Sequence, residues 1–148
     1  AVVRRDGISV VSIRPSWVQY PGEYFVTDLR DEFELDALAA APEEAVGGGP
    51  GNYWSYVDVR DLAAQISRTL EVDVDGHEAF HCHATENFLG EDTVDLFEAL
   101  LGEVPKRCAL SGEESAFSMA KSRELLDWEP SHSWRTESAV EGPDFDAP

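Results

Sequence analysis

The chain has 148 residues, 43% of them hydrophobic, enough for one domain with a core of its own and too apolar for a disordered protein. Thirty acidic side chains stand against 11 basic ones, a net charge of −19. With no basic stripe to neutralise phosphates, that balance argues against nucleic acid as a partner.

The acids are spread over every segment, and only Lys106 and Lys121 are lysines. An even spread reads as adaptation to high salt, where carboxylates stay hydrated and their repulsion is screened. An acidic face made for a basic partner would cluster its charge. Cys82 and Cys108 have no CxxC spacing, and there is neither a signal peptide nor an apolar run near membrane length. Reduced thiols, a cytoplasmic location and no membrane partner are therefore expected. The chain starts Ala-Val-Val, not Met, which points to a fragment or a processed product.

Residues 1–7 read as a helix end, with Arg4 and Arg5 in the last turn and Asp6-Gly7 as the stop. Ile8, Val10, Val11 and Ile13 predict a strand over 8–14, apolar on both faces, as in a parallel sheet covered on both sides. Leu29, Phe33, Ala37 and Ala40 predict a helix from Asp28 to about Ala41. Pro42 and GGGPGN (47–52) make a loop. Over 58–71, Val59, Leu62, Ala63, Ile66 and Leu70 form one apolar stripe of a helix, with Asp58 as its N-cap. VDVDG (72–76) turns into a strand over 77–84. A helix over 92–101 ends at Gly102, KRCAL (106–110) makes a short strand, and Ser118 caps a last helix over 119–128. Beyond Thr136 the chain is an acidic tail. The order is α/β, and a two-strand parallel unit is so small that the first strand reads as one cut from a larger sheet.

Three segments resemble the C-terminal half of the NAD-dependent epimerase/dehydratase family, the extended short-chain dehydrogenases/reductases. RDGISVVSIRPSWVQYPG is similar to the family's "tGlpvvilRpsnVyGPg", YVDVRDLAAQI (56–66) to "yvHVdDlA", and FSMAKSRELLDWEP (117–130) to "ds.KAreeLGWeP". In order and at family-like spacing, they cover about residues 4–135. The resemblance implies the C-terminal part of a doubly wound, Rossmann-type parallel sheet plus a small substrate-binding subdomain over 1–135, followed by the tail at 136–148. It implies NAD or NADP as cofactor, with Pro15, Ser16 and Trp17 beside the nicotinamide, and a sugar-like small-molecule substrate near Gln19, Trp54, Asp58 and Arg60.

Two family motifs are missing from this sequence. There is no GxxGxxG to cradle a pyrophosphate; GGGPG follows no strand and opens no helix. Tyr20, Tyr24, Tyr53 and Tyr56 all lack a lysine four residues on, so the tyrosine-lysine pair that moves the proton is missing and no residue is assigned a catalytic role. Trp54 stands where nucleotide-sugar enzymes often carry an arginine, and tryptophan cannot grip a diphosphate. A smaller polyol, uronate or other carbonyl substrate fits at least as well.

His81-Cys82-His83 is not read as a metal site, because on a strand the two histidines and the cysteine face opposite ways. Cys82 reads as a buried thiol. Trp17, Tyr20, Trp54 and Tyr56 either stack on a sugar or nicotinamide ring or pack between the strand end and the 52–56 loop. The expected assembly is a homodimer or a union with a missing N-terminal portion. A rival reading is a non-catalytic binding module that pairs through its exposed sheet edge.

Overall fold

A computed structural model of the chain describes residues 7–31 and 52–137. The helix end expected over 1–6, most of the 42–52 loop, the second half of the 28–41 helix and the tail beyond 137 lie outside those residues.

Among the described residues, four strands and five helices follow in the order β1 (Val10–Pro15), β2 (Trp17–Gln19), α1 (Phe25–Asp31), β3 (Tyr56–Asp58), α2 (Val59–Glu71), β4 (His77–Cys82), α3 (Thr93–Leu101), α4 (Ala120–Leu126) and α5 (Trp134–Glu137). The class is α/β, with parallel pairing throughout the two small sheets. Strand β1 pairs with β4 in the register Val10↔His77 to Pro15↔Cys82, and β2 pairs with β3 from Trp17↔Tyr56 to Gln19↔Asp58. Residues 106–110 form no strand, and the pair β2–β3 had no signal in the sequence. Three-residue strands are too short to show a period of two. No helix among the described residues is long and apolar enough to cross a membrane.

Local chemistry explains the helix ends. Asp58, in extended conformation, accepts the Arg60 N–H at 2.7 Å and starts α2. Asp92 accepts the Val94 N–H at 2.8 Å to start α3, and Gly102 ends it in the left-handed region at φ 72. Ser118 Oγ accepts the Ala120 N–H at 3.3 Å ahead of α4, and Asp127, at φ 48, closes that helix.

The apolar stripe of α2 does not serve the core as its periodicity suggests. The face turned inward carries Asp61, Gln65 and Thr69, while Ile66 is 44% and Leu70 83% exposed. Hydrogen bonds hold the polar face in: Gln65 Nε2 donates to the His81 carbonyl and to Ser122 Oγ, both at 2.9 Å. Two apolar clusters make up the core of the described residues. One gathers Val57, Phe80, Cys82, Met119, Leu126 and Trp128, with Val11, Ile13 and Leu62 packed against it. The other centres on Tyr24, Tyr56, Phe88, Leu96, Phe97 and Trp134.

Candidate functional site

His83 follows directly on Cys82, the last paired residue of β4, whose carbonyl accepts the Ser16 N–H at 3.4 Å. Side chains alternate along both strands. One face carries Val11, Ile13, Phe80 and Cys82 into the core, and the other carries Arg14, Ser16, His81 and His83. Together with Pro15, Asn52 and Phe117, these four line a cleft of about 180 Å³ at the carboxyl ends of the strands, where ligands of parallel α/β sheets bind.

The cleft is lined by neutral imidazoles. His81 Nδ1 and His83 Nε2 lie 3.3 Å apart, and His83 stacks face to face on Phe117, with ring centroids 4.3 Å apart. Burial pushes the His83 pKa down to about 4, with a further push from His81. Burial and the Arg14 charge lower that of His81. Between them Cys82 points into the core, its thiol pushed up to about 12 by burial, so it is no nucleophile. Among the described residues no three His, Cys, Asp or Glu side chains are grouped to hold a metal ion.

The structure brings some of the sequence candidates together and separates others. Pro15 and Ser16 line the cleft, and Ser16 Oγ donates to the Ser55 carbonyl at 2.6 Å. Trp17 lies outside it, half-buried between Phe25 and Phe88. Gln19 is fully buried; it donates to the Trp17 carbonyl and accepts the Val26 N–H at the start of α1. Trp54 is buried against Phe97 in a left-handed backbone conformation, φ 55, that bulky residues rarely adopt. The side chain of Asn52 accepts the Trp54 N–H at 3.0 Å there.

Asp58 and Arg60 belong to a closed network. Tyr24 donates a hydrogen bond to Asp58 Oδ2, and Arg60 Nε and Nη2 reach both Asp58 oxygens at 2.8 Å. Arg60 Nη2 also contacts Glu137 at 2.6 Å. Burial opposes ionisation of Asp58, yet the hydrogen bonds from Arg60 and Tyr24 outweigh it and lower its pKa. Burial first, then the Asp58 hydrogen bond, raises that of Tyr24. Tyr56 is raised in the same way beside Glu86, to which it donates at 2.6 Å. Neither buried phenol is a tyrosinate.

Asn52, His81, His83 and Phe117 were given no site role from the sequence. They come from segments up to 65 residues apart, and only the alternation of His81 and His83 was visible in the chain.

No protein-family description matches the chain, and no curated protein does. Among solved structures it is similar to UDP-glucuronic acid 4-epimerase from Bacillus cereus in complex with NAD, at 16% identity and a TM-score of 0.49, over 94% of this chain and 45% of that one. A mutant of that epimerase gives 16% identity and a TM-score of 0.48 over 94% and 46% of the two chains. MoeE5 in complex with UDP-glucuronic acid and NAD gives 16% and 0.47 over 90% and 46%. The chain thus spans less than half the length of each.

Proposed function

We propose that the chain is the substrate-side portion of an NAD(P)-dependent oxidoreductase of the epimerase/dehydratase type, inactive by itself. The observation that carries this reading is the meeting of the three resembling segments. The first supplies Arg14, Pro15 and Ser16 to the cleft, the third supplies Phe117, and the second forms β3, paired to β2 of the first. Segments resembling one family in sequence converge where an α/β sheet binds its ligand.

The nicotinamide end of a cofactor fits the residues present, whereas the rest does not. The exposed Pro15 and half-buried Ser16 border a space of about 180 Å³, well below the roughly 300 Å³ at which pockets for drug-sized ligands begin. One ring can enter, and the sequence holds no GxxGxxG to cradle the diphosphate. When bound, the ring supplies hydride transfer. What this chain adds is position: Pro15 and Ser16 border the ring, Phe117 excludes water, and Trp17, Gln19, Trp54 and Asp58 hold the strand ends from behind. Arg60, partly exposed, is the one member of that set with charge to present to a sugar-like substrate. In this reading residues 1–135 belong to the doubly wound unit and 136–148 to the tail.

Titrating NAD⁺ and NADP⁺ against the chain expressed with its native upstream reading frame tests the proposal. Binding of either is expected, with a glycine-rich βαβ start and a Tyr-x-x-x-Lys encoded upstream. Failure of both cofactors to bind overturns it.

A second reading, a non-catalytic module that pairs through a sheet edge, draws on one observation. Among the described residues β1 has a strand partner on one edge only, and a groove of about 530 Å³ runs from Val11 and Ile13 to Ile66 and Leu70. Light scattering in molar salt separates the two: an obligate dimer favours the module, and a folded monomer removes it.

A further inference from the structure

Arg14 stands opposite His81 in the parallel register, on the face that also carries Ser16 and His83. With 3.3 Å between His81 Nδ1 and His83 Nε2, one proton lies between the two rings. His83 is only 3% exposed, and its other nitrogen, Nδ1, is buried without a hydrogen-bond partner. The remaining unpartnered buried atoms, on Arg30 and Gln65, belong to residues outside this cleft.

Two tautomeric arrangements satisfy the short contact. If His81 donated, His83 would carry its proton on Nδ1 as a buried, orphaned N–H. If His83 Nε2 donates, Nδ1 is only an unfilled acceptor, and orphaned N–H groups are the rarer of the two in folded proteins. The network therefore assigns the shared proton to His83 Nε2. His81 then keeps its own proton on Nε2, as a donor held in orientation by a stacked, buried partner.

That donor lies beside a guanidinium with no carboxylate partner among the described residues. Six of the nine Lys and Arg side chains among the described residues lie within salt-bridge distance of a carboxylate. Arg14 has no such partner among the described residues, in a chain with 30 acids to 11 bases. The polar atoms around it are already engaged: Asn52 Oδ1 accepts the Trp54 N–H, Asn52 Nδ2 donates to the Ser55 carbonyl at 3.1 Å, and the Ser16 hydroxyl donates to the same carbonyl. The cleft thus offers donors and one positive charge.

We propose that Arg14 and His81 clamp the carboxylate of a small polyhydroxy acid, of the sugar-acid class, whose ring packs on Phe117. The inference rests on the function proposed above for placing the substrate beside the strand ends. A planar guanidinium matches the two oxygens of a carboxylate, and the small cleft has no room for a nucleotide diphosphate. A net charge of −19 repels anions at long range, so such a ligand binds where local donors outweigh that field and salt screens it.

The test follows the ring resonances of His81 and His83 by NMR, with the whole chain in molar salt. D-glucuronate is the probe, with D-glucose and inorganic phosphate as comparisons. Glucuronate should perturb His81 saturably and glucose should not. Arg14→Gln should weaken the response by about tenfold or more, the usual scale for loss of a charge-assisted hydrogen bond, and Arg14→Lys should recover only part, since lysine lacks the fork. His81→Gln should weaken glucuronate binding as well, followed through His83. Arg14 is exposed, so its variants should fold, which their melting curves verify. No response to glucuronate, an equal response to glucose, tighter binding of phosphate, or an unchanged Arg14→Gln each overturns the clamp. Cofactor binding by the upstream-joined chain is scored separately. Glucuronate binding without it would keep the clamp and sink the parent reading, and cofactor binding without glucuronate would do the reverse.

Discussion

Two polar regions of the molecule are built in opposite ways. At the start of α2, every carboxylate oxygen is used. Asp61, 3% exposed in its side chain, accepts the Ser131 and His132 N–H groups, Ser131 Oγ and His132 Nδ1, all at 2.9–3.1 Å. Asp58 is closed in by Tyr24, Arg60 and the first turn of its own helix. At the ends of β1 and β4 the accounts stay open: His83 Nδ1 lacks a partner and Arg14 lacks a carboxylate among the described residues. A buried polar group with all its partners stabilises a fold, whereas one left short carries a penalty that a ligand can relieve. The lesson is that a buried carboxylate at a motif position is weak grounds for a site, and an unsatisfied donor set is stronger.

The contrast can be broken most forcefully at Asp61. Asp61→Ala strands two backbone N–H groups and releases the 131–132 turn from α2, and should cost about 3 kcal/mol of stability, from the desolvation penalty of the groups left unpaired. Denaturant unfolding in molar salt measures it. A loss below about 1 kcal/mol would mean that water replaces the carboxylate and the clasp is not structural. Tyr24→Phe comes next, expected to cost about 1.5–3 kcal/mol because its hydroxyl donates to a charged, fully buried acceptor. It should leave glucuronate binding at the cleft unchanged.

Acid sensitivity sharpens the comparison, since the two regions should respond in different pH windows. The His83 pKa is about 4 in the fold against an ordinary 6.5. Below about 6.5 the unfolded chain therefore takes up a proton that the folded chain refuses. Stability falls as pH drops from about 6.5 towards 4. His83→Gln should flatten that limb in a plot of melting temperature against pH, and an unaltered limb would assign it elsewhere. Asp58 has a lowered pKa in the fold, so its contribution is present above its ordinary value of 3.8 and is lost as pH falls through and below it. Asp58→Asn should lower stability above that value and flatten the pH dependence in this lower window alone. The smallest effect belongs to Leu70→Gln. With the side chain 83% exposed, stability should shift by less than about 0.5 kcal/mol. A larger loss would show that the outer stripe of α2 is covered in solution.

Much of the local structure was legible in the residues themselves. Asp58, Asp92 and Gly102 announce their helix ends because capping is settled by neighbours within a turn. The parallel relation of the first strand to the 77–84 strand followed from the helix between them. The short strands β2 and β3 were not legible, since three residues carry no period and their pairing is set by Trp17 and Tyr56 meeting across 39 residues. The roles of Gln19, Trp54 and Asp58 were hidden for a similar reason: whether a polar or aromatic group faces a ligand or the core depends on what packs over it.

The amino-acid sequence by itself determined the α/β class, the ends of α2 and α3, the surplus of acid and the three segments that resemble epimerases, all of them short-range or compositional properties. It missed that α1 starts at Phe25 rather than Asp28, and it gave no sign of α5. Tertiary structure decided which face of α2 went inward. Hydrogen bonds that Asp61 accepts and Gln65 donates, with distant backbone and side chains as partners, hold the polar side in and leave Ile66 and Leu70 outside. It also decided where chemistry is left unfinished. Arg14, His81 and His83 become one donor cluster only when β1 and β4 lie side by side, because alternation aims them to one face and pairing sets the register.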